Sequence, residues 1–398
     1  MSRPRSSGAV SDHDSDGLPV PRRYWAIAAI VLAIAMSVLD SSIANVALPT
    51  IAREFDTPAA ASIWVINAYQ IAILVSLLPL ASVGEVVGYR RVSQAGLVVF
   101  TLASISCALA PSMLALVIAR VVQGFGAAGI MSVNAALVRF TYPQRFLGRA
   151  IGINALAVAT AAAIGPTVAA GVLAVAPWRW LFAINGPIGI VTFVIATYAL
   201  PVTERSRRPL NWAAVALHAS TFGLLVSGLQ ALAHSSSTPL ALTEICGGGV
   251  LGVFLARHEL ERPAPLIPFD LLRNRLFSLS ILTSVCSFTG QMAALVALPF
   301  EIERLGHSAV ATGLLMTPWP VAVGIAAPIA GRLADRFPAG ILGGAGLATM
   351  SCGLYLLAVF PQGGSAADFI WRMALCGVGF GLFQSPNNRT MILAAPRA

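Results

Sequence analysis

Charge is what this sequence has least of. Only 10% of its 398 residues are charged, and lysine is absent altogether. A soluble globular domain carries about 25% charged residues because its surface faces water. So sparse a set excludes an ordinary soluble fold and leaves lipid as the outer solvent. Cysteine is also scarce. The five, at 107, 246, 286, 352 and 376, have no C-x-x-C spacing and all fall in apolar runs, so they read as small core hydrophobes rather than metal or redox ligands. There is no G-x-x-x-x-G-K-[ST] run, so ATP is not the expected energy source, and no cluster of catalytic residue types suggests an enzyme. The net charge of +9 does not mark a nucleic-acid binder, because the arginines are scattered among short loops. No secretory signal opens the chain. Residues 1–23 mix Arg3, Arg5, Arg22 and Arg23 with Asp12, Asp14 and Asp16, the composition of a disordered cytoplasmic tail.

What the sequence does contain is long apolar runs, 57% of the chain being hydrophobic. Lipid satisfies no backbone polar group, so only helices and closed barrels can span it. A barrel needs segments of about ten alternating residues, whereas these runs are continuous and near the 20 residues a spanning helix requires. Twelve helices are predicted, at 24–48, 60–83, 92–110, 112–138, 149–172, 179–200, 211–232, 240–256, 277–300, 309–330, 339–360 and 369–393. Assigning the loops alternately to two sides puts twenty arginines on one side. Arg53, Arg179 and Arg304 fall on the other, and Arg120 and Arg372 within spans. The arginine-rich side, which carries both ends of the chain, is therefore expected to be cytoplasmic.

Two loops look alike at a separation of about 250 residues: Ala81 to Arg91, containing Glu85, Gly88, Arg90 and Arg91, and Gly331 to Arg336, containing Arg332 and Asp335. A second pair is Arg120 with Gly124 and Gly126, against Arg372 with Gly377 and Gly379. Internal repeats of this kind are a feature of transporters. Eight helices separate the two loops where a six-plus-six arrangement would place six. This makes 211–256 an inserted pair between an N-terminal half (24–200) and a second half (277–398), joined by 201–210 and 257–276. The second half has four helices, so two C-terminal helices of a fourteen-span design are expected to be missing.

Several segments carry a family likeness. They are Leu39-Asp40 through Asn45 to Pro49, Trp64 to Tyr69, Arg120-Val-Val-Gln123-Gly124, Gly165-Pro166, Trp178-Arg179-Trp180 to Asn185-Gly186-Pro187, and Gly381 to Asn388. With these the chain resembles the fourteen-helix drug:proton antiporter branch of the major facilitator superfamily, from the first helix onward. It departs from that pattern at Ala81, Glu85 and Val86 in the first cytoplasmic loop, and at Ala169-Ala170, where paired glycines are usual. The resemblance implies an all-α polytopic fold of two six-helix halves with an inserted pair, of which twelve helices are present here. It also implies multidrug efflux across a bacterial inner membrane, with a proton as coupling ion and no other cofactor.

Asp40 lies well inside the first apolar run and shares a face with Ser37, Ser41 and Asn45. A carboxylate at that depth needs a cavity or a partner. It could exchange a proton for a substrate cation, or serve as a structural acid bonded to neighbouring helices. Arg120, Gln123, Ala127 and Asn134 share a face of the fourth helix. Arg120 can tune a nearby acid, with a snorkelling arginine as the plainer alternative. Gly165-Pro166 should kink the fifth helix, and the resemblance makes that kink an antiporter hinge. Glu85, Arg90, Arg91, Arg332, Asp335 and Arg336 are candidates for a cytoplasmic gate, though exposed loop charges contribute little by themselves. The rim residues Glu301, Glu303, Arg304 and His307 read as ordinary boundary charges. Candidate cavity residues are Asn45, Tyr69, Gln123, Asn134, Asn154, Gln291, Gln384 and Asn387. The expected protein is a monomer in the lipid bilayer that exports small amphipathic or cationic molecules by alternating access. Two alternatives stand beside it: a dedicated metabolite or antibiotic exporter of the same fold, and a truncated, transport-incompetent interaction or sensing protein.

Overall fold

Apolar segments that cannot bond their backbone to solvent close their hydrogen bonds internally, as helices. The computed structural model describes all residues except 1–16, 144–145, 204–210, 234–237, 261–270, 272, 335, 361–364 and 395–398. Its helices are α1 (Arg22–Glu54), α2 (Ala59–Ser62), α3 (Trp64–Val87), α4 (Tyr89–Ala108), α5 (Met113–Thr141), α6 (Leu147–Val175), α7 (Arg179–Ala183) and α8 (Asn185–Ala199), followed by α9 (Trp212–Ala233), α10 (Thr238–Leu260), α11 (Arg275–Arg304), α12 (Ala309–Met316), α13 (Pro318–Leu333), α14 (Ala339–Ala358) and α15 (Ala366–Ala394). The pairs α2–α3, α7–α8 and α12–α13 each make one crossing. Among the described residues, twelve helical segments are thus long and apolar enough to cross a membrane. Several run further than the apolar pattern predicts, α1, α3, α10 and α11 by a turn or more. The first continues through Pro49 to Glu54, and α11 through Pro299 to Arg304. Proline removes one helical hydrogen bond, but both prolines are buried among neighbouring helices, where such a break is tolerated. The extra turns carry Arg53 and Glu303 to the arginine-poor end of the molecule.

The internal repeat is visible in the packing. Helix α5 presses on α3 and α4 through two glycines. A methyl at Gly124 would strike the Tyr69 carbonyl and Ala72, and one at Gly126 would strike Phe100 and Gly96. Helix α15 repeats this on α13 and α14, with Gly377 against the Trp319 carbonyl and Ala322, and Gly379 against Met350 and Gly346. All four neighbouring positions are displaced by 250 residues, so the two halves use one packing scheme, in which small residues let backbones approach. This register corrects the sequence pairing of Arg120 with Arg372. Arg120 lies four residues before its glycine and Arg372 five, so the place matching Arg120 is held by Met373.

Among the described residues, several side-chain contacts between the halves lie toward the arginine-poor side. Val296 and Phe300 of α11 pack against a buried cluster that includes Ile43, Leu48, Ile51 and Trp178. Gly313 sits against the Pro166 carbonyl and Ala170, and the Thr167 and Thr317 hydroxyls are 2.9 Å apart. A second cluster at the arginine-rich end, around Ile30, Val133, Leu137 and Ala199, draws its members from the first half. Helices α9 and α10 pack on each other, with Gly228 against Ile245, and α9 lies along α3.

Candidate functional site

Four crossings of the first half bring polar groups to one buried point. Asp40 comes from α1, Arg120 and Gln123 from α5, Ser104 from α4 and Asn185 from the start of α8. Asp40 is 2% exposed, while Arg120 and Gln123 are fully enclosed. Spacing explains the local pattern, since Arg120 and Gln123 are one helical turn apart and present their polar ends to the same place.

The carboxylate of Asp40 is surrounded by donors. Its Oδ2 accepts from Arg120 Nη1, an ion pair within the protein. Its Oδ1 accepts from Gln123 Nε2 and Asn185 Nδ2, each at 2.9 Å. Ser104 Oγ accepts from the same two amides at 3.1 and 2.9 Å, and donates to the Phe182 carbonyl at 3.0 Å. Arg120 also donates from Nε to the Val65 carbonyl at 3.0 Å and from Nη1 to Gln123 Oε1 at 2.7 Å. Its guanidinium lies 4.1 Å from the Tyr69 ring centre and 5.5 Å from that of Phe182. Tyr69 in turn donates to the Ser37 carbonyl at 3.2 Å. Arg120 Nη2 has no partner among the described residues.

Such a cluster has a definite chemical bias. Donors from Arg120, Gln123 and Asn185 converge on the carboxylate, and removing one member of a buried pair leaves the other uncompensated, at about 3–5 kcal/mol. A proton on Asp40 would strip Arg120 of its counter-charge while one guanidinium nitrogen is already unpartnered. The geometry therefore favours keeping Asp40 and Arg120 together.

The remaining candidates are more dispersed. Asn45 and Gln291 are both buried, on α1 and α11 respectively, and Asn45 Oδ1 has no partner among the described residues. Asn134, Asn154 and Gln384 are half-buried. Asn387 donates to the Ser280 carbonyl at 3.2 Å and to Ser284 Oγ at 2.7 Å, tying α15 to α11. Gly165 abuts Ser42 of α1, and the next residue, Pro166, offers its carbonyl toward Gly313. The fifth crossing is therefore wedged between the halves at this point.

Of the residues expected to form the cytoplasmic gate, Arg90 has described partners at the end of α8. Arg90 donates to the Thr197 and Leu200 carbonyls, joined by Arg22 on Ala199 and Leu200. These cations close the end of α8, where carbonyls lack helical partners. Glu85, Arg91, Arg332 and Arg336 are exposed, and Asp335 lies outside the described residues.

Sequence reasoning passed over three contributors. Ser104 and Asn185 complete the Asp40 shell, and Glu54 accepts from Trp178 Nε1 at 2.6 Å and pairs with Arg179. Asn185 stands in a quoted motif, so an uncharged amide within a span was a usable signal. Ser104 offered none, since serine is common in such helices.

The profile of the Major Facilitator Superfamily matches residues 30–398. The chain belongs to that superfamily. It is 52% identical over 386 residues to YebQ, an uncharacterized transporter of Escherichia coli, covering 96% of this chain and 84% of YebQ. The riboflavin transporter RibZ of Clostridioides difficile is 30% identical over 381 residues, with 94% and 82% covered. The multidrug resistance protein Stp of Mycobacterium tuberculosis is 31% identical over 374 residues, with 92% and 68% covered. Among solved structures, a bacterial homologue of the lysosomal transporter Spinster, in an inward-facing unoccupied conformation, aligns with a TM-score of 0.68. That match has 16% identity and covers 94% of this chain and 76% of that one. It supports the fold. The chain is thus a multi-pass, all-helical membrane transporter of this superfamily.

Proposed function

We propose that the protein is a proton-coupled exporter of small amphipathic or cationic compounds in a bacterial inner membrane, within the fourteen-helix drug:proton antiporter branch. The observation that carries this reading is the Asp40–Arg120 pair, sealed from solvent and ringed by Gln123, Asn185 and Tyr69. An intramembrane acid and base are expensive to keep and mark ion or substrate pathways. With the arginine-rich side taken as cytoplasmic, the contacts at Gly313, Thr167 and Phe300 lie toward the outer side and support reading this conformation as the inward-facing one of an alternating-access cycle. A proton arriving from outside neutralises Asp40, frees Arg120 and favours rearrangement of the first half. Loss of that proton to the cytoplasm re-forms the pair. Similarity to Stp, a multidrug resistance protein, favours this cargo class.

A second reading keeps the mechanism and makes the cargo a dedicated metabolite. Similarity to the riboflavin transporter RibZ favours it. Both readings are tested by expressing the protein in a pump-deficient bacterium and following efflux of a cationic dye and of riboflavin, with and without a proton uncoupler. Dye efflux that collapses with uncoupler and with Asp40→Asn supports the first reading, and riboflavin movement without dye efflux supports the second. Uncoupler-insensitive efflux rules out proton exchange.

A further inference from the structure

Arg53 ends α1 and Glu303 ends α11, and they bridge the two halves at 2.8 Å on the arginine-poor rim. We propose that this ion pair is the latch that holds the outer mouth closed. Two observations and a mechanical argument place it there. The two residues are repeat equivalents, separated by the same 250 positions that relate Tyr69 to Trp319 and Pro49 to Pro299, so they meet where the pseudo-two-fold axis leaves the protein. They lie beyond the two helix-internal prolines, at the end of the molecule farthest from the arginine-rich opening. When one half rocks against the other, the outermost contact has the longest lever arm and parts most widely.

The pair is also unequal in a way that suits a latch. The Arg53 side chain is 68% exposed and that of Glu303 only 11%. The acid lies mostly covered at the rim, with Oε1 lacking a partner among the described residues. Arg53 therefore supplies the counter-charge that Glu303 lacks elsewhere, and withdrawing it leaves a mostly buried carboxylate facing the opening. Neighbouring charges are committed differently. Arg304 pairs with Glu301 on its own helix at 2.6 Å, and Glu54 pairs with Arg179 within the first half. Neither of those pairs crosses between halves. A cavity of about 430 Å³, lined from both halves by Pro49, Ala52, Arg53, Phe300, Glu303 and Arg304, adjoins the pair. Solvent and ions from that side can thus reach the latch without passing the apolar seal around Phe300 and Val296.

This inference rests on the alternating-access reading, and the experiment separates the two. A single cysteine replaces Val296, which packs in the seal between the halves, in a background whose five native cysteines are serine or alanine. Whole cells are labelled with a membrane-impermeant maleimide. Glu303→Gln and Arg53→Gln should each raise the labelling rate by about three- to tenfold, since partly buried pairs exceed exposed ones in strength. The exchanged pair Arg53→Glu with Glu303→Arg should return it toward the parent rate. Arg304→Gln, which breaks a pair within one half, should leave it unchanged. Equal labelling in all variants, alongside a clear response to substrate or uncoupler, overturns the latch but spares alternating access. A rate that responds to nothing overturns alternating access itself. Thermal unfolding in detergent is followed for each variant, and a uniform rise in labelling that tracks lowered melting, without recovery in the exchanged pair, also sinks the latch.

Discussion

Tyr69 and Trp319 hold the same place in the two halves. Each lies fully buried with its carbonyl against a glycine of the helix packed over it, Gly124 in one case and Gly377 in the other. The frames match, but the chemistry does not. Counting from these contacts, the places of Arg120, Gln123 and Ser104 are taken in the second half by Met373, Cys376 and Leu354, and that of Asp40 by Gly290. One half carries a buried charge network, and the other answers it with apolar or small residues. The Tyr69 hydroxyl bonds to Ser37, whereas Trp319 Nε1 has no partner among the described residues.

Arg120→Gln should lower thermal stability strongly, by about 3–5 kcal/mol, because it strands a buried carboxylate. Combining it with Asp40→Asn should cost less than the two single changes together, as coupled neighbours do. Thermal unfolding of the four proteins in one detergent completes the cycle. Strict additivity would show that the two side chains do not interact.

Enlarging a packed glycine should hurt equally in both halves. Gly124→Val and Gly377→Val each force a side chain into a facing backbone, and overpacking typically costs about 1–3 kcal/mol. Gly340 and Gly344 face open space, so alanine there should be close to neutral. Folded yield and melting temperature discriminate, and indifference at Gly377 would contradict the repeat.

A disulfide between cysteines at Thr167 and Thr317 should form readily, given hydroxyls 2.9 Å apart. Made in a background without other cysteines, it should tie α6 to the α12–α13 junction and abolish transport until a reductant is added. Full transport by the oxidised protein would mean that these helices need not separate.

Orientation can be read with fusions. Alkaline phosphatase joined near residue 110 should be active, and joined near residue 143 inactive, if the arginine-poor side faces outward. The opposite pattern would invert the topology.

Much of the architecture is legible in the sequence because lipid imposes a simple rule. A long apolar run must become a helix, and all twelve predicted crossings appear. Helix ends are less legible. Pro49 looks like a stop to a local reading, yet α1 passes through it, as α11 does through Pro299, because neighbouring helices surround the break. The Asp40 cluster was visible only in pieces. Asp40, Arg120 and Gln123 stand out as costly polar residues within spans, but Ser104 and Asn185 join them from helices whose proximity no local pattern encodes. Glu303 shows the opposite case. It is one of several charges at a helix end, and nothing in its neighbours distinguishes it from Glu301.

By itself the sequence determined the solvent, the helical class, the number of crossings and the arginine bias between the two sides. Each of these follows from the cost of exposing polar groups to hydrocarbon, which depends on composition along the chain. Only the tertiary structure decided which charges meet. Asp40 and Arg120 are 80 residues apart, and Arg53 and Glu303 belong to different halves. Both contacts depend on which helices pack together, and that is a property of packed surfaces rather than of any single segment.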